Sequence, residues 1–193
     1  IRVGIMGARG YSGLELTRLC LKHPGISVQW VSATQNFELS HYLKAPLSSP
    51  LPPVLTEPTW DHVDLVFTAT PHEASWELVP QLLEKGLKVI DLSGAFRLRD
   101  QFFNSTKTTS QQLYSSWYGF SPSDLVSDWT QKAQYGLMPF DLNSQERPLI
   151  ANPGCYATSV LMALIPLLKE NLIDPHHIVI DAKSGTTGAG RKA

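Results

Sequence analysis

The sequence has few charged residues and no excess of either sign. Charged residues make up 17% of the 193 positions, and the formal net charge is −1. This balance gives no strong electric field, so we expect neither nucleic acid nor an anionic membrane as a partner. Apolar residues make up 42%, which suffices for a sizeable core and excludes disordered and fibrous classes. A small molecule is therefore the expected ligand.

Cysteine is also scarce, and long apolar runs are missing. Cys20 and Cys155 lie far apart and form no CxxC pattern, so neither a disulfide framework nor a metal site is predicted. No apolar run reaches the ~18 residues of a membrane span, and no secretory signal pattern occurs. We therefore expect a reducing compartment, the cytoplasm.

The two ends predict that the sequence belongs to a longer chain. Ile1 lies inside an apolar strand pattern with no initiating Met, and Ala193 follows a glycine-rich loop without a closing element. The length itself predicts either one domain or one domain and part of a second, since a domain averages about 150 residues.

Strand and helix patterns alternate along the sequence, which predicts an α/β fold with a doubly wound parallel sheet. Helical patterns cover residues 11–23, 70–85 and 155–170. In the second of these helices, Thr70 is the predicted N-cap, and Pro80 is predicted to bend or interrupt the helix. Residues 93–134 form a long excursion with a surface loop at 104–116. Short apolar runs predict strands over residues 2–6, 26–33, 64–69, 88–92, 135–138, 149–151 and 178–182.

Three glycines follow the first predicted strand and open the first predicted helix. Gly7, Gly10 and Gly13 have the spacing GxxGxxG, where the N–H groups of a helix N-terminus bind the pyrophosphate of a dinucleotide. The alternative is a tight strand-to-helix turn without a ligand. The second strand ends near Ser32 and Thr34 without an acidic residue for a ribose 2′-hydroxyl, which favours NADP over NAD.

Cys155 follows an Asn-Pro-Gly turn and begins a predicted helix. A helix N-terminus stabilises a thiolate, so Cys155 is the candidate nucleophile. The alternative is a small buried apolar residue, which is the role expected of Cys20 on the apolar face of the first helix.

Three other features are candidates for binding anions or a cofactor. Residues 184–192 combine glycines, hydroxyls and two cations, and either wrap a phosphate or carboxylate or serve as a plain connector. Arg97 either binds an anion or pairs with Asp100. His72 lies at a strand-to-helix junction on the carboxyl edge of the sheet, where a capping or solvated histidine is the alternative.

In this order, the segments resemble the N-acetyl-gamma-glutamyl-phosphate reductase family, which is related to the aspartate-semialdehyde dehydrogenases. The resemblance spans essentially the whole chain. Its most specific segments are Asn-Pro-Gly-Cys-Tyr at residues 152–156 and Gly-Ala-Gly-Arg-Lys at residues 188–192. Other segments occur in the family's order at residues 7–16, 70–73, 91–97, 118–119, 135–137 and 184–185.

The resemblance implies an NADPH-dependent enzyme of arginine biosynthesis. In it, Cys155 would attack N-acetyl-L-glutamyl 5-phosphate, expel phosphate and form a thioester, which hydride transfer would convert to the semialdehyde. The resemblance assigns the substrate to Arg97, Gly188 and Arg191. It assigns the cofactor to Gly7, Gly10, Tyr11, Ser12, Gly13, Ser32, His72, Ser93, Gly94, Ser184 and Gly185.

The resemblance also implies a dinucleotide-binding domain over residues 1–152 and the start of a catalytic domain over residues 153–193. The family's general base is a histidine downstream of these motifs, and neither His176 nor His177 is assigned to it. A homo-oligomer, dimer or tetramer, is expected because soluble enzymes usually assemble. Two alternatives stay open: the same chemistry on an aminoadipyl or aspartyl phosphate, and a non-catalytic NADP-binding fragment.

Overall fold

The computed structural model describes residues 1–43, 50–99, 110–121, 127–138, 140 and 147–189. Within these residues the strands form one sheet in the order β3-β2-β1-β4-β5-β7-β6, and every neighbouring pair is parallel. The strands are β1 (Arg2–Met6), β2 (Ser27–Ser32), β3 (Val54–Leu55), β4 (Leu65–Thr68), β5 (Lys88–Asp91), β6 (Gln134–Tyr135) and β7 (Leu149–Ala151).

The predicted doubly wound parallel sheet is confirmed. The chain runs outward from β1 to β3, returns to the other side of β1 at β4, and continues to β5. The connections after β1 and β4 therefore leave the sheet side by side, at the switch point where such folds bind ligands. The helices are α1 (Tyr11–Lys22), α2 (His72–Glu84), α3 (Ser110–Leu113), α4 (Ser127–Lys132) and α5 (Cys155–Lys169).

Two apolar clusters hold the sheet between its helices. In one, Leu14, Cys20 and Leu21 of α1 pack with Ile5 and Val31 of β1 and β2. The other joins the buried residues of α2 to those of β4, β5 and β7. Among the described residues, no helix combines the length and apolar character needed to cross a bilayer.

The start of α2 differs from the predicted capping box. Pro71, with an extended backbone, is the N-cap, and no side chain caps the helix. The Thr70 hydroxyl lies 2.7 Å from that of buried Ser75 instead. The helix is also not interrupted at Pro80, because Val79, Leu82 and Leu83 are buried against the sheet and offset the lost backbone bond.

Other element predictions are wrong in part. Residues 178–182 form no strand, and Val179 is 94% exposed, because an isolated strand has no neighbour to accept its backbone hydrogen bonds. Two large apolar residues of α1, Tyr11 and Leu19, are 44% and 52% exposed. The buried stripe of α1 follows positions 13, 14, 17, 20 and 21 instead.

The predicted surface loop at residues 104–116 is also wrong where the structure describes it. Residues 110–113 form α3, and a π-helical turn follows at Tyr114–Tyr118. Tyr114 is almost fully buried and packs against Trp76 and Phe120. Residues 104–109 of that prediction lie outside the described part of the chain.

Candidate active site

The glycine loop between β1 and α1 lies at the switch point of the sheet. Gly7 has φ of +76°, and a Cβ at this position would lie 2.3 Å from the carbonyl oxygen of Ala69, just after β4. Gly13 is buried on α1, and a Cβ there would lie 2.3 Å from the carbonyl oxygen of Gly7. The loop can therefore turn tightly only because these positions lack side chains.

The first turn of α1 is built like an anion-binding helix N-terminus. Gly10 is the N-cap, with no side-chain cap, and its carbonyl accepts the N–H of Leu14 at 2.9 Å. The first turn, which includes Tyr11 and Ser12, carries no acidic residue. The dipole and first-turn N–H groups of a helix favour a negative group here, so the turn fits a pyrophosphate.

A cleft of about 1120 Å³ runs from this loop across the end of β2. At that end it is lined by Ser32, Thr34 and Arg9, and the Nη1 of Arg9 donates to the Oε1 of Gln35 at 2.9 Å. Sequence reasoning missed Arg9. Two sequence features together could have indicated it: Arg9 is a cation inside the glycine motif, and β2 ends without an acidic residue. The other lining residues are Met6, Gly7, Gly10, Tyr11, Ala33, Tyr42, Thr56, Ala69, Thr70 and Pro71.

A second cleft, of about 1020 Å³, continues from the first toward α5. The two clefts share Gly10, Tyr11 and Ala69. The second brings together three features named from the sequence: the glycine loop, Cys155, and the hydroxyl- and glycine-rich segment of residues 184–188. The residues of those features that line it are Gly10, Tyr11, Ser12, Cys155, Ser184, Gly185, Thr187 and Gly188.

Cys155 is exposed and is the first residue of α5. The N-cap Gly154 provides no side-chain cap, and its carbonyl accepts the N–H of Thr158 at 2.8 Å. The thiol therefore stands at the positive end of a fifteen-residue helix. Cys20 contrasts with it, since it is 3% exposed and burial raises the pKa of its thiol. The prediction that Cys20 is a buried core residue is confirmed.

A buried hydrogen-bond network holds the loop that follows β5. The carboxylate of Asp91 is fully buried and accepts bonds from the hydroxyls of Thr68 at 2.7 Å and Ser93 at 2.6 Å. The hydroxyl of Ser93 in turn accepts the N–H of Ala95 at 3.0 Å. The main-chain N–H of Ser93 also donates to the Asp91 carboxylate, at 3.2 Å, so the side chain and the N–H of Ser93 are both bonded within the fold.

His72 is held against the same loop. Its Nδ1 accepts the N–H of Gly94 at 2.8 Å, which places the proton of the neutral ring on Nε2. The ring lies edge-on to Tyr118, with centroids 5.0 Å apart, and stacks on Phe120. Burial lowers the pKa of His72, so the ring is neutral near pH 7. His72, Ser93 and Gly94 therefore meet, but none of the three lines the two clefts.

Arg97 is bonded to main-chain carbonyls. Its Nε donates to the carbonyl of Asn152 and its Nη2 to that of Leu92, each at 2.8 Å. The predicted alternative partner, Asp100, lies outside the described residues, and so does Arg191. Within the described residues no cluster of three or more potential metal ligands occurs.

The fold and the groove define a class of protein: a doubly wound dinucleotide-binding domain whose nucleotide cleft leads to an exposed cysteine at a helix N-terminus. The family model described as semialdehyde dehydrogenase, NAD binding domain, matches residues 2–146. The model of the semialdehyde dehydrogenase dimerisation domain matches residues 155–193. The chain belongs to the semialdehyde dehydrogenase family.

Within this family, the chain is similar to curated proteins that share one name. The chain is 39% identical over 198 residues to N-acetyl-gamma-glutamyl-phosphate reductase of Thermosynechococcus vestitus, covering 100% of this chain and 53% of the relative. It is 40% identical over 196 residues to the protein of that name in Listeria monocytogenes serotype 4b, covering 99% and 53%. The resemblance found in the sequence is confirmed, and the chain spans about half the length of the curated relatives it matches.

Solved structures show the same fold. Aspartate semialdehyde dehydrogenase II of Vibrio cholerae, in its complex with ASA, superimposes with a TM-score of 0.58 at 17% identity, covering 87% of this chain and 46% of that one. At this identity the likeness concerns the fold alone.

Proposed function

We propose that the protein containing this chain reduces N-acetyl-L-glutamyl 5-phosphate to N-acetyl-L-glutamate 5-semialdehyde with NADPH, as a step of arginine biosynthesis. The observation that carries this proposal is the continuous groove that leads from Ser32 and Arg9, past the glycine turn, to the exposed thiol of Cys155. The names of the relatives support the choice of substrate.

The chemistry assigned to Cys155 is covalent. Its thiolate attacks the acyl carbon of the substrate, the carbon–oxygen bond to phosphate breaks, and phosphate leaves with the electron pair. Bound NADPH supplies a hydride to the carbonyl carbon of the resulting thioester. The carbon–sulfur bond then breaks, and the thiolate leaves to give the aldehyde. The N-terminus of α5 stabilises the thiolate before the first step and after the last.

The residues of the groove would hold the cofactor in this proposal. The turn formed by Gly7, Gly10, Tyr11, Ser12 and Gly13 would hold its pyrophosphate. Ser32, Thr34 and Arg9 would hold a 2′-phosphate, which favours NADP because a phosphate needs hydroxyl and cation partners where an NAD site has a carboxylate. The resemblance assigns the nicotinamide end to His72, Ser93, Gly94, Ser184 and Gly185, and the substrate to Gly188 and Arg191.

Domain division, assembly and location belong to the same proposal. Residues 1–152 form the dinucleotide-binding domain, and residues 153–193 belong to a catalytic domain through which the protein forms a homo-oligomer. The match of residues 155–193 to a dimerisation-domain model supports this assembly. A cytoplasmic location agrees with the need for a reduced thiol.

The reverse reaction tests the catalytic proposal. In the full natural protein, we expect phosphate-dependent reduction of NADP by the semialdehyde, and we expect C155A to abolish it. The variant C20A removes the other thiol from the core and is the matched control, which we expect to retain the activity. An undiminished rate in C155A would refute the covalent mechanism.

Substrate choice requires its own measurement. We expect kcat/KM to be highest for the acetylglutamyl phosphate when it is compared with aminoadipyl and aspartyl phosphates. The margin over a substrate that differs by one methylene is about 1–3 kcal/mol. A higher value for either competitor would overturn the assignment of substrate but not that of the thioester.

A further inference from the structure

Arg97 joins the ends of two neighbouring strands. Leu92 directly follows β5, and Asn152 directly follows β7, which pairs with β5. The half-buried guanidinium donates from Nη2 to the Leu92 carbonyl and from Nε to the Asn152 carbonyl, both at 2.8 Å. The N–H of Asn152 also donates to the carbonyl of Asp91 at 2.8 Å. The guanidinium therefore bridges the ends of β5 and β7 with two hydrogen bonds, beside one backbone bond that joins the two ends directly.

Gly154 fits against the same guanidinium. Its backbone, with φ of −69° and ψ of 163°, is one that any residue can adopt. A Cβ at Gly154 would lie 2.9 Å from the Nη1 of Arg97, so the guanidinium would have to shift to admit a side chain. The guanidinium thus reaches the residue that caps α5, immediately before Cys155.

We propose that Arg97 is a positioning residue: it clamps the turn at residues 152–154 against β5 and so fixes the thiol of Cys155 at the N-terminus of α5. This rests on the nucleophilic role proposed for Cys155. A planar guanidinium suits the task because its nitrogens reach two carbonyls in fixed directions. A lysine ammonium keeps the charge but not this fork.

The clamp also places a positive charge beside the N-cap of α5. That charge and the helix dipole act in the same sense on a thiolate at Cys155. Release of the clamp should therefore lower the reactivity of Cys155 even toward a reagent that has no anionic group for an arginine to bind.

Alkylation of Cys155 by iodoacetamide tests the proposal. The rate is measured from pH 6 to 9 on the full natural protein without substrate, and peptide mass mapping separates Cys155 from Cys20. We expect R97K to slow alkylation near neutral pH about five-fold and to move the pH profile to higher pH. The matched control is R2K. Arg2 forms an exposed ion pair with Asp64 at the start of β1, whereas the turn at residues 152–154 follows the end of β7 in the same parallel sheet. We expect R2K to leave the rate unchanged.

Gly154 provides an independent variant. G154A keeps every donor of Arg97 but displaces the guanidinium, so it should slow alkylation in the same sense. Because both changes disrupt one contact, the double variant R97K/G154A should be no slower than the slower single variant. If R97K does not fold, the alkylation rate of Cys155 in G154A is the test of the proposal. A wild-type alkylation rate in G154A, or full additivity of the two changes, would overturn the proposal.

Steady-state kinetics separate this role from substrate binding. A positioning role predicts that R97K lowers kcat with little change in KM. A raised KM together with an unchanged alkylation rate would instead make Arg97 a substrate ligand and overturn the proposal. Retention of activity by C155A would refute the proposed function, whereas the alkylation result does not depend on turnover.

Discussion

The protonation state of His72 decides how the loop after β5 is held. Its Nδ1 accepts the N–H of Gly94, and a protonated ring cannot accept that bond. Burial lowers the pKa of His72 in the folded protein. Between that pKa and the unfolded value of about 6.5, only the unfolded chain binds the proton, so stability falls as the pH falls through this window.

We therefore expect H72Q to weaken the acid dependence of stability. The Gln side chain can accept the Gly94 N–H without titrating. Urea unfolding at pH 7 and pH 5 gives the unfolding free energy that each protein loses on acidification. We expect this loss to be smaller in H72Q than in the wild type. The matched control is H41Q, because His41 is exposed in a 3₁₀ turn. An acid dependence in H72Q equal to that of the wild type would contradict the role of this bond.

A second expectation at this scale concerns Gly7, where conformation and space both require glycine. G7A should lower the unfolding free energy by at least about 1–3 kcal/mol, because its φ is +76° and its Cβ would meet the Ala69 carbonyl. It should also weaken NADP binding, measured by calorimetry. G86A is the control, since Gly86 has φ of +77° but open space around it. G86A should lose stability yet bind NADP normally, and equal binding by both variants would contradict the role of Gly7.

At the scale of elements, the buried carboxylate of Asp91 connects β4, β5 and the loop that carries Ser93. We expect D91N to lower the unfolding free energy by about 1–3 kcal/mol. The amide nitrogen of the new side chain would face a hydroxyl that now donates a hydrogen bond to the carboxylate. Thermal unfolding measures the loss. D61N, at an exposed turn, is the control and should leave stability unchanged. A D91N variant as stable as the wild type would show that the network contributes nothing.

The elements differ in how well sequence predicts them. Short apolar runs, such as β4, and helices with a clear period, such as α1, were predictable because burial against the core dictates both patterns. The burial of Tyr114 was not, since its segment is polar and its partners Trp76 and Phe120 come from other parts of the chain. The strand predicted over residues 178–182 failed because strand formation depends on a neighbouring strand that local sequence does not encode.

The site divides in the same way. The glycine turn and the position of Cys155 were predictable because local residue types indicate where a helix begins. Arg9 and the clamp made by Arg97 were not, since each depends on which strand ends the fold brings together. The local sequence offers Arg97 only an anion or Asp100 as partners, because the carbonyl groups of Leu92 and Asn152 have no signature in the sequence.

At the scale of the whole molecule, α5 is apolar yet has no buried residue in this chain. Met162 and Leu167 are 43% and 38% exposed, and the helix lies in the region that matches the dimerisation-domain model. We expect the full natural protein to sediment as a dimer or tetramer. A monomer at micromolar concentration would contradict the proposed assembly.

The 193-residue chain offers a complementary expectation. It contains the groove from Ser32 to Cys155 but spans about half the length of its curated relatives. We expect it to bind NADP, as judged by calorimetry, and to show no turnover. Turnover by this chain alone would contradict that expectation.

The central claim is that Cys155 carries the acyl group during the reaction. It is tested most directly by mixing the full natural protein with the acyl phosphate in the absence of NADPH and counting the inorganic phosphate released in the first turnover. We predict a burst of about one phosphate per active site, a matching mass increase on the peptide that contains Cys155, and neither in C155A. A burst of the same size in C155A, or acyl transfer to another residue, would contradict the claim.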